Sequence, residues 1–252
     1  MPNTGFDRLN AALSLDHKLS SRLKIGTKIN FSNTKSDNLP ATGYNNQSIS
    51  YFMIFQNPNV DLDWYKPIWR KGAEQIDQVH PFSSYIDNPY LIAYENLNST
   101  NKKIITGNIN ISYQLAKNFD IAYKTGLEWS NELRTQRRPW SSANYLKGFY
   151  REQYIRYFDL NNDVLLTYKN KFGDIGVTAS AGGNIRYHEY TMNDYRAIGL
   201  NRAGLYQLSN ATSQDFKLAS PNDNQVNSVY ALANFSYKDM IFLDVTARND
   251  WS

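Results

Sequence analysis

Cysteine is absent from the 252 residues, which excludes disulfides, thiolate metal sites and cysteine nucleophiles. No apolar run approaches the roughly eighteen residues that a membrane-crossing helix needs. Basic residues are scattered among carboxylates and the formal charge is +4. The concentrated basic surface that binds nucleic-acid phosphates is therefore missing, and no nucleic-acid partner is expected. The opening stretch, Met1 to Gly5, has neither the basic region nor the apolar core of a signal peptide. Any export signal is expected outside this chain.

Signatures of catalysis are missing too. His17, His80 and His188 are far apart and lack the i, i+4 spacing of a metal pair, so they are read as solvated loop histidines. Asp61 and Asp63 come without the glycine and closing glutamate of a calcium loop, which makes them a solvated acidic turn. No Gly-x-Ser-x-Gly elbow occurs. Neither enzymatic activity, nor a catalytic residue, nor a bound metal or cofactor is expected.

What is abundant is the palette of strands and turns: tyrosine (19 residues), with asparagine, serine, isoleucine and threonine. Period-two alternation appears eight times, in segments of about ten residues. Leu9, Ala11, Leu13 and Leu15 oppose Arg8, Asn10, Ser14 and Asp16. Leu23, Ile25, Thr27, Ile29 and Phe31 oppose Lys24, Gly26, Lys28, Asn30 and Ser32. Ile105 to Leu115 turns at Ala116-Lys117-Asn118 into Phe119 to Ser130. Leu160 to Tyr168 joins Ile175 to Ile185 across Asn170 to Asp174, and Val229 to Tyr237 joins Ile241 to Ala247 through Lys238-Asp239.

Connections within these four hairpins are short. Those between hairpins are long, about seventy residues after Phe31, with others after Trp129 and Tyr187. Strict alternation of short and long links sends every long one from the same end of the strands, as in outer-membrane barrels. About ten residues at roughly 3.3 Å each, tilted near 40°, cross an apolar band of about 25 Å. Tyr113, Trp129, Tyr168 and Tyr237 fall near strand ends, where interfacial aromatics sit. The expected fold is all-β: an antiparallel transmembrane β-barrel segment of about eight strands, its short turns at one end and long loops at the other.

Two segments of the first long link stand out. Ser48 to Phe55 is strongly apolar, and predicts a short helix or strand packing the link on itself or a neighbour, or a contact with another protein. Trp64, Tyr65, Trp69, Tyr85 and Tyr90 are candidate substrate-binding residues, with flat faces suited to sugar rings or peptide side chains.

The closing run, Ser236 to Ser252 (SYKDMIFLDVTARNDWS), resembles the signature hairpin of SusC/RagA-type TonB-linked outer-membrane proteins of Bacteroidetes. Asp87-Asn88-Pro89-Tyr90 with Tyr94-Glu95-Asn96 resembles a loop of that family, and Leu13 to Lys18 one of its strand-to-turn passages. The resemblance implies a twenty-two-stranded barrel in a Gram-negative outer membrane, closed by an amino-terminal plug. It implies partners as well: the TonB complex acting through the plug, a SusD-like surface lipoprotein as lid, outer-membrane lipid, and a glycan or peptide substrate. Residues 1–252 are then a partial barrel domain without plug or remaining strands, ending inside the Asn249-Asp250-Trp251-Ser252 motif. The alternatives are a surface adhesin or structural protein built as a β-sandwich, and a small barrel in which the eight strands close on themselves.

Overall fold

Alternating side-chain chemistry produces a paired strand at every position where it occurs, but several strands run far beyond it. The computed structural model describes residues 3–43, 48–218 and 222–252. Met1 and Pro2, part of the stretch searched for an export signal, lie outside the described residues.

The strands are β1 (Asp7–Lys18), β2 (Leu23–Ser36), β3 (Asn98–Ala116), β4 (Phe119–Ser142), β5 (Tyr145–Phe172), β6 (Ile175–Leu200), β7 (Ala211–Leu218), β8 (Asn222–Tyr237) and β9 (Ile241–Trp251). They form one antiparallel sheet in the order β1-β2-β3-β4-β5-β6-β8-β9. The short β7 pairs the upper part of β6, above the stretch that pairs β8. Eight of the nine strands are those expected from alternation; β7 was not foreseen.

Strand length departs from expectation. β4, β5 and β6 have 24, 28 and 26 residues, so the link expected after Trp129 is mostly paired strand, closed by a tight turn at Ala143-Asn144. Above Trp129 both faces of β4 carry mainly polar residues. Alternation of chemistry stops there, although the backbone ladder continues.

Register fixes the two faces. The row His17, Ile25, Ile111, Tyr123, Val164, Gly183, Val229, Asn249 crosses all eight strands on one face, apolar except at its edges. The adjacent row, Asp16, Gly26, Asn110, Lys124, Asp163, Asn184, Ser228, Asp250, is polar from edge to edge on the other. We call these the outer and inner faces. No second sheet covers the outer face among the described residues: Leu13 is 62% and Val245 51% exposed. A sandwich buries that face against another sheet, so the sandwich reading is overturned. β1 and β9 each pair on one side only, so the eight strands do not close on themselves either.

Aromatic rings mark two levels of the outer face. Phe119 and Tyr168 pair near the short turns, with ring centroids 4.9 Å apart. Trp129 pairs Phe158 higher up, whose ring lies 6.0 Å from that of Tyr187. The ten steps from Phe119 to Trp129, tilted near 40°, span about 25 Å, the height of an outer-membrane apolar band. Trp129 thus marks the upper aromatic level without being at a strand end.

On the inner face one contact is built around a missing side chain. The Tyr230 ring crosses Gly182 so that its hydroxyl donates to Asp163, 2.9 and 2.8 Å from the two carboxylate oxygens, one strand beyond. A Cβ on Gly182 would lie 2.5 Å from Tyr230 Cζ and 2.8 Å from the Val164 carbonyl oxygen. Gly182→Ala is therefore expected to lower barrel stability by about 1–3 kcal/mol. The check is the temperature at which the full-length barrel loses its compact gel mobility; an unchanged transition would contradict the packing.

Candidate functional site

All long connections leave from one rim, the end opposite the turns at residues 19–22, 117–118, 173–174 and 238–240. The first, residues 37–97, holds the apolar cluster of the molecule: Tyr51, Phe52, Tyr65, Ile86 and Ile92. Helices α1 (Ile49–Phe55) and α2 (Pro89–Tyr94) supply it. Ser48 caps α1 by accepting from Tyr51 N at 3.1 Å, and Phe52 packs edge-on against Tyr65, centroids 5.5 Å apart. The apolar Ser48 to Phe55 stretch is thus a helix that packs the link on itself, while Met53, Ile54 and Phe55 stay exposed.

A buried polar network fastens this block to the sheet. Asp87, fully buried, accepts from Gln78 Nε2 (2.9 Å), Asn96 Nδ2 (3.1 Å), Ser142 Oγ (2.7 Å) and Ala143 N (2.7 Å). Asn88 caps α2 by accepting from Tyr90 N at 2.8 Å, and donates to the carbonyls of Tyr65 (2.7 Å) and Val79 (2.8 Å). Gln78 accepts from Asn88 N at 2.7 Å and donates to the Ser141 carbonyl at 2.5 Å. Ser141 to Ala143 form the tip of the β4–β5 hairpin, so the Asp87-Asn88 pair joins loop core, helix and strand tip. Arg138, also buried, donates to Asn98 Oδ1 at 2.7 Å and to the Leu97 carbonyl at 3.3 Å. Burial pushes its guanidinium down to about 10, still charged at neutral pH.

Below the tip, the inner face of the tall wall is polar. Arg151 and Arg196 stand directly opposite each other on β5 and β6, an arrangement that like charges oppose. Asp194 resolves it, forked by Arg151 (2.8 and 2.6 Å) and by Arg196 (3.3 and 2.7 Å). Burial pushes the Asp194 carboxyl up, but the hydrogen bonds and charges of the two arginines outweigh it and hold it at about 2. This carboxylate favours folding above its ordinary range near pH 4 and loses that contribution only as pH falls towards 2. Glu132 and Arg134 form a similar pair on β4, 2.5 Å apart.

The five candidate aromatics do not share one environment. Trp64 and Tyr85 offer their rings to solvent, 69% and 64% exposed. Trp69 is half-buried, its backbone bridged to Gln78. The Tyr90 hydroxyl donates to Asp63 at 3.1 Å, and Lys66 Nζ lies 4.8 Å from its ring centroid. Tyr65 is 9% exposed in the loop core, with its hydroxyl on Gln56 Oε1. It cannot stack on a ligand, because Phe52 already occupies its surroundings.

Histidine placement needs correcting. His17 lies on β1 and His188 on β6, not in loops; His188 Nδ1 is 3.3 Å from Asp159 on the inner face, and the Asp159 carboxylate also takes Arg186 at 2.7 Å. The acidic turn reading holds: Asp61 caps the turn Leu62–Tyr65, and Asp63 pairs Lys66 at 2.8 Å. The Arg151/Asp194/Arg196 set and the Gln78 and Ser142 partners of Asp87 were missed from sequence. Charges repeating at i, i+2, as in Asp194/Arg196 and Glu132/Arg134, are the one available signal that the strands continue there.

No family model matches the sequence, and no curated protein matches it. Among solved structures the chain is similar to the RagAB peptide transporter, with 14% identity and a TM-score of 0.71 over 97% of this chain and 28% of that one. It is similar to the RagAB peptide importer in the closed-closed state, with 15% identity and a TM-score of 0.72 over the same shares. It also resembles BauA, the ferric preacinetobactin receptor of Acinetobacter baumannii, at 11% identity and a TM-score of 0.53, covering 97% and 33%. The chain thus spans under a third of the first two proteins it matches. At these identities the likeness shows the fold alone: an antiparallel strand wall like a section of the barrels of those proteins.

Proposed function

We propose that this chain is part of an outer-membrane transporter that draws peptides or oligosaccharides inward with energy from the TonB complex, under a SusD-like lipoprotein lid. The observation that carries this reading is the sidedness of the sheet. An uncovered apolar face suits acyl chains, an edge-to-edge polar face suits a wet or plugged interior, and the folded excursions rise from a single rim. Likeness to a peptide transporter supports peptides as cargo. The inner-face rows hold charged and amide side chains that hydrogen-bond one another, such as Asn184 to Asn161 at 3.0 Å and Arg186 to Asp159. Such a surface passes polar cargo without performing chemistry on it.

Deleting the complete gene should abolish uptake of a defined oligopeptide or oligosaccharide, and restoring it should return uptake that stops when the inner-membrane proton gradient is collapsed. Uptake indifferent to the gene or to the gradient would overturn the reading. Within the rim, Trp64→Ala in the full-length protein is expected to weaken cargo binding about two- to tenfold. Trp69→Ala should do the same while also loosening the bridge to Gln78. Unchanged affinity in both variants would remove these aromatics from the binding surface.

A further inference from the structure

Directly above the upper aromatic level, the outer face carries a row in which Asn33 pairs Lys103, Lys103 pairs Asn131, Asn131 pairs Arg156 and Arg156 pairs Thr191. Every residue in it is polar, and its two bases are exposed. The row below is Phe31, Ile105, Trp129, Phe158 and Glu189, so the bases stand one step above the rings. Glu189 on β6 limits the positive stretch to β2 through β5. One step higher on β2, Lys35 is engaged with Asp37 at 3.7 Å. Lys103 and Arg156, by contrast, form no ion pair among the described residues. The short-turn rim differs: among the described residues no lysine or arginine holds an outer-face strand position there, where Tyr113, Phe119, Tyr168 and Tyr237 sit.

We infer that Lys103, Asn131 and Arg156 form a binding site for the phosphorylated headgroup of an outer-leaflet lipid. This rests on the barrel orientation proposed above, with the long-loop rim outside the cell. Two strand spacings separate the bases, about 10 Å at the backbone. Their long side chains can close on one headgroup, with the Asn131 amide between them as a neutral donor. Acyl chains of the same lipid would lie along Ile105, Trp129 and Phe158 on the strands beneath. Charge at this level faces headgroups, where each lysine or arginine adds appreciable attraction to anionic lipid. An inward charge such as Lys102, next to Lys103 but on the opposite face, does not.

The test uses the full-length protein in detergent with three probes: phosphorylated lipid A, the same lipid A after phosphatase treatment, and inorganic phosphate. Bound lipid is read by native mass spectrometry. Phosphorylated lipid A should bind the wild type, and Lys103→Gln with Arg156→Gln should weaken it about thirtyfold. Lys102→Gln should leave it unchanged. Equal binding of the dephosphorylated lipid, equal binding by the double variant, or an equivalent effect of inorganic phosphate alone would each overturn the proposal. Compact gel mobility of the unheated double variant verifies that it is folded. Failure of the wild type itself to fractionate with the outer membrane would instead count against the barrel reading.

Discussion

Ile109→Arg in the full-length barrel is expected to cost about 2–4 kcal/mol of stability, and Asn110→Arg, one residue along, much less. Ile109 points out of the outer face about midway between the aromatic levels: Tyr113 lies four residues towards the short turns, and Ile105, paired with Trp129, four residues the other way. Thr27 and Thr125 flank it on the neighbouring strands, and neither offers a charge to pair with an arginine. A guanidinium there leaves water for acyl chains with no carboxylate in reach. Asn110 belongs to the inner row between Gly26 and Lys124, and its amide donates to Asn108 Oδ1 at 3.0 Å. An added charge at Asn110 meets water or polar groups and one like charge, a modest cost at high dielectric. Denaturant titration of both variants in lipid vesicles checks this: equal losses would show that neither face meets lipid, and a larger loss for Asn110→Arg that the two faces are assigned the wrong way round.

Facing and hairpin order were legible in the sequence because apolar and polar residues alternate strictly along the strands, the pattern a strand needs when its two faces meet different surroundings. Leu9 to Leu15 with Leu23 to Phe31, and Ile105 to Leu115 with Phe119 to Trp129, announce their pairing through that period and the short turns between them. The same cause explains what was missed. From Asn131 to Ser142 and from Tyr145 to Tyr157 the strands stand clear of the apolar band, so Leu133 and Ile155 alternate with nothing and the segments read as loop. Backbone pairing there is held by the ladder and by pairs such as Arg151 with Asp194, whose partners are 43 residues apart. A pair so distant in sequence has no local signature. Among the aromatics, density alone could not separate Trp64, which faces solvent, from Tyr65, which fills the loop core one residue later. That distinction comes from the short helical turn Leu62–Tyr65, which sets consecutive side chains about 120° apart, so that Tyr65 turns inward while Trp64 does not.

Asp87→Ala is expected to release the 37–97 block from the rim at a cost of about 3–5 kcal/mol in docking free energy, without unfolding the wall. Asp87 accepts from both sides of that junction: Gln78 and Asn96 donate from the loop, Ser142 and Ala143 from the β4–β5 tip. Alanine leaves Asn96 and Ser142 with buried donors unpaired and takes one acceptor from Gln78 and from Ala143, and it removes a negative charge that acts on the buried Arg138 guanidinium. Asp87→Asn keeps the volume and one oxygen but turns the other acceptor into a donor facing donors, so it should fall between wild type and alanine. The wall should survive both changes, because the β4–β5 ladder from Phe119↔Tyr168 up to Ser142↔Tyr145 does not pass through Asp87. Hydrogen exchange on the full-length protein separates these outcomes: protection should fall across α1 and α2 while the amides of β3 to β6 keep theirs. Since Trp64, Trp69 and Tyr85 ride on the released block, cargo binding should fall together with that protection. Unchanged protection at α2 in the alanine variant would mean that the loop is held by its apolar core and by the remaining ties from Gln78 and Arg138, and that the buried carboxylate merely fills space.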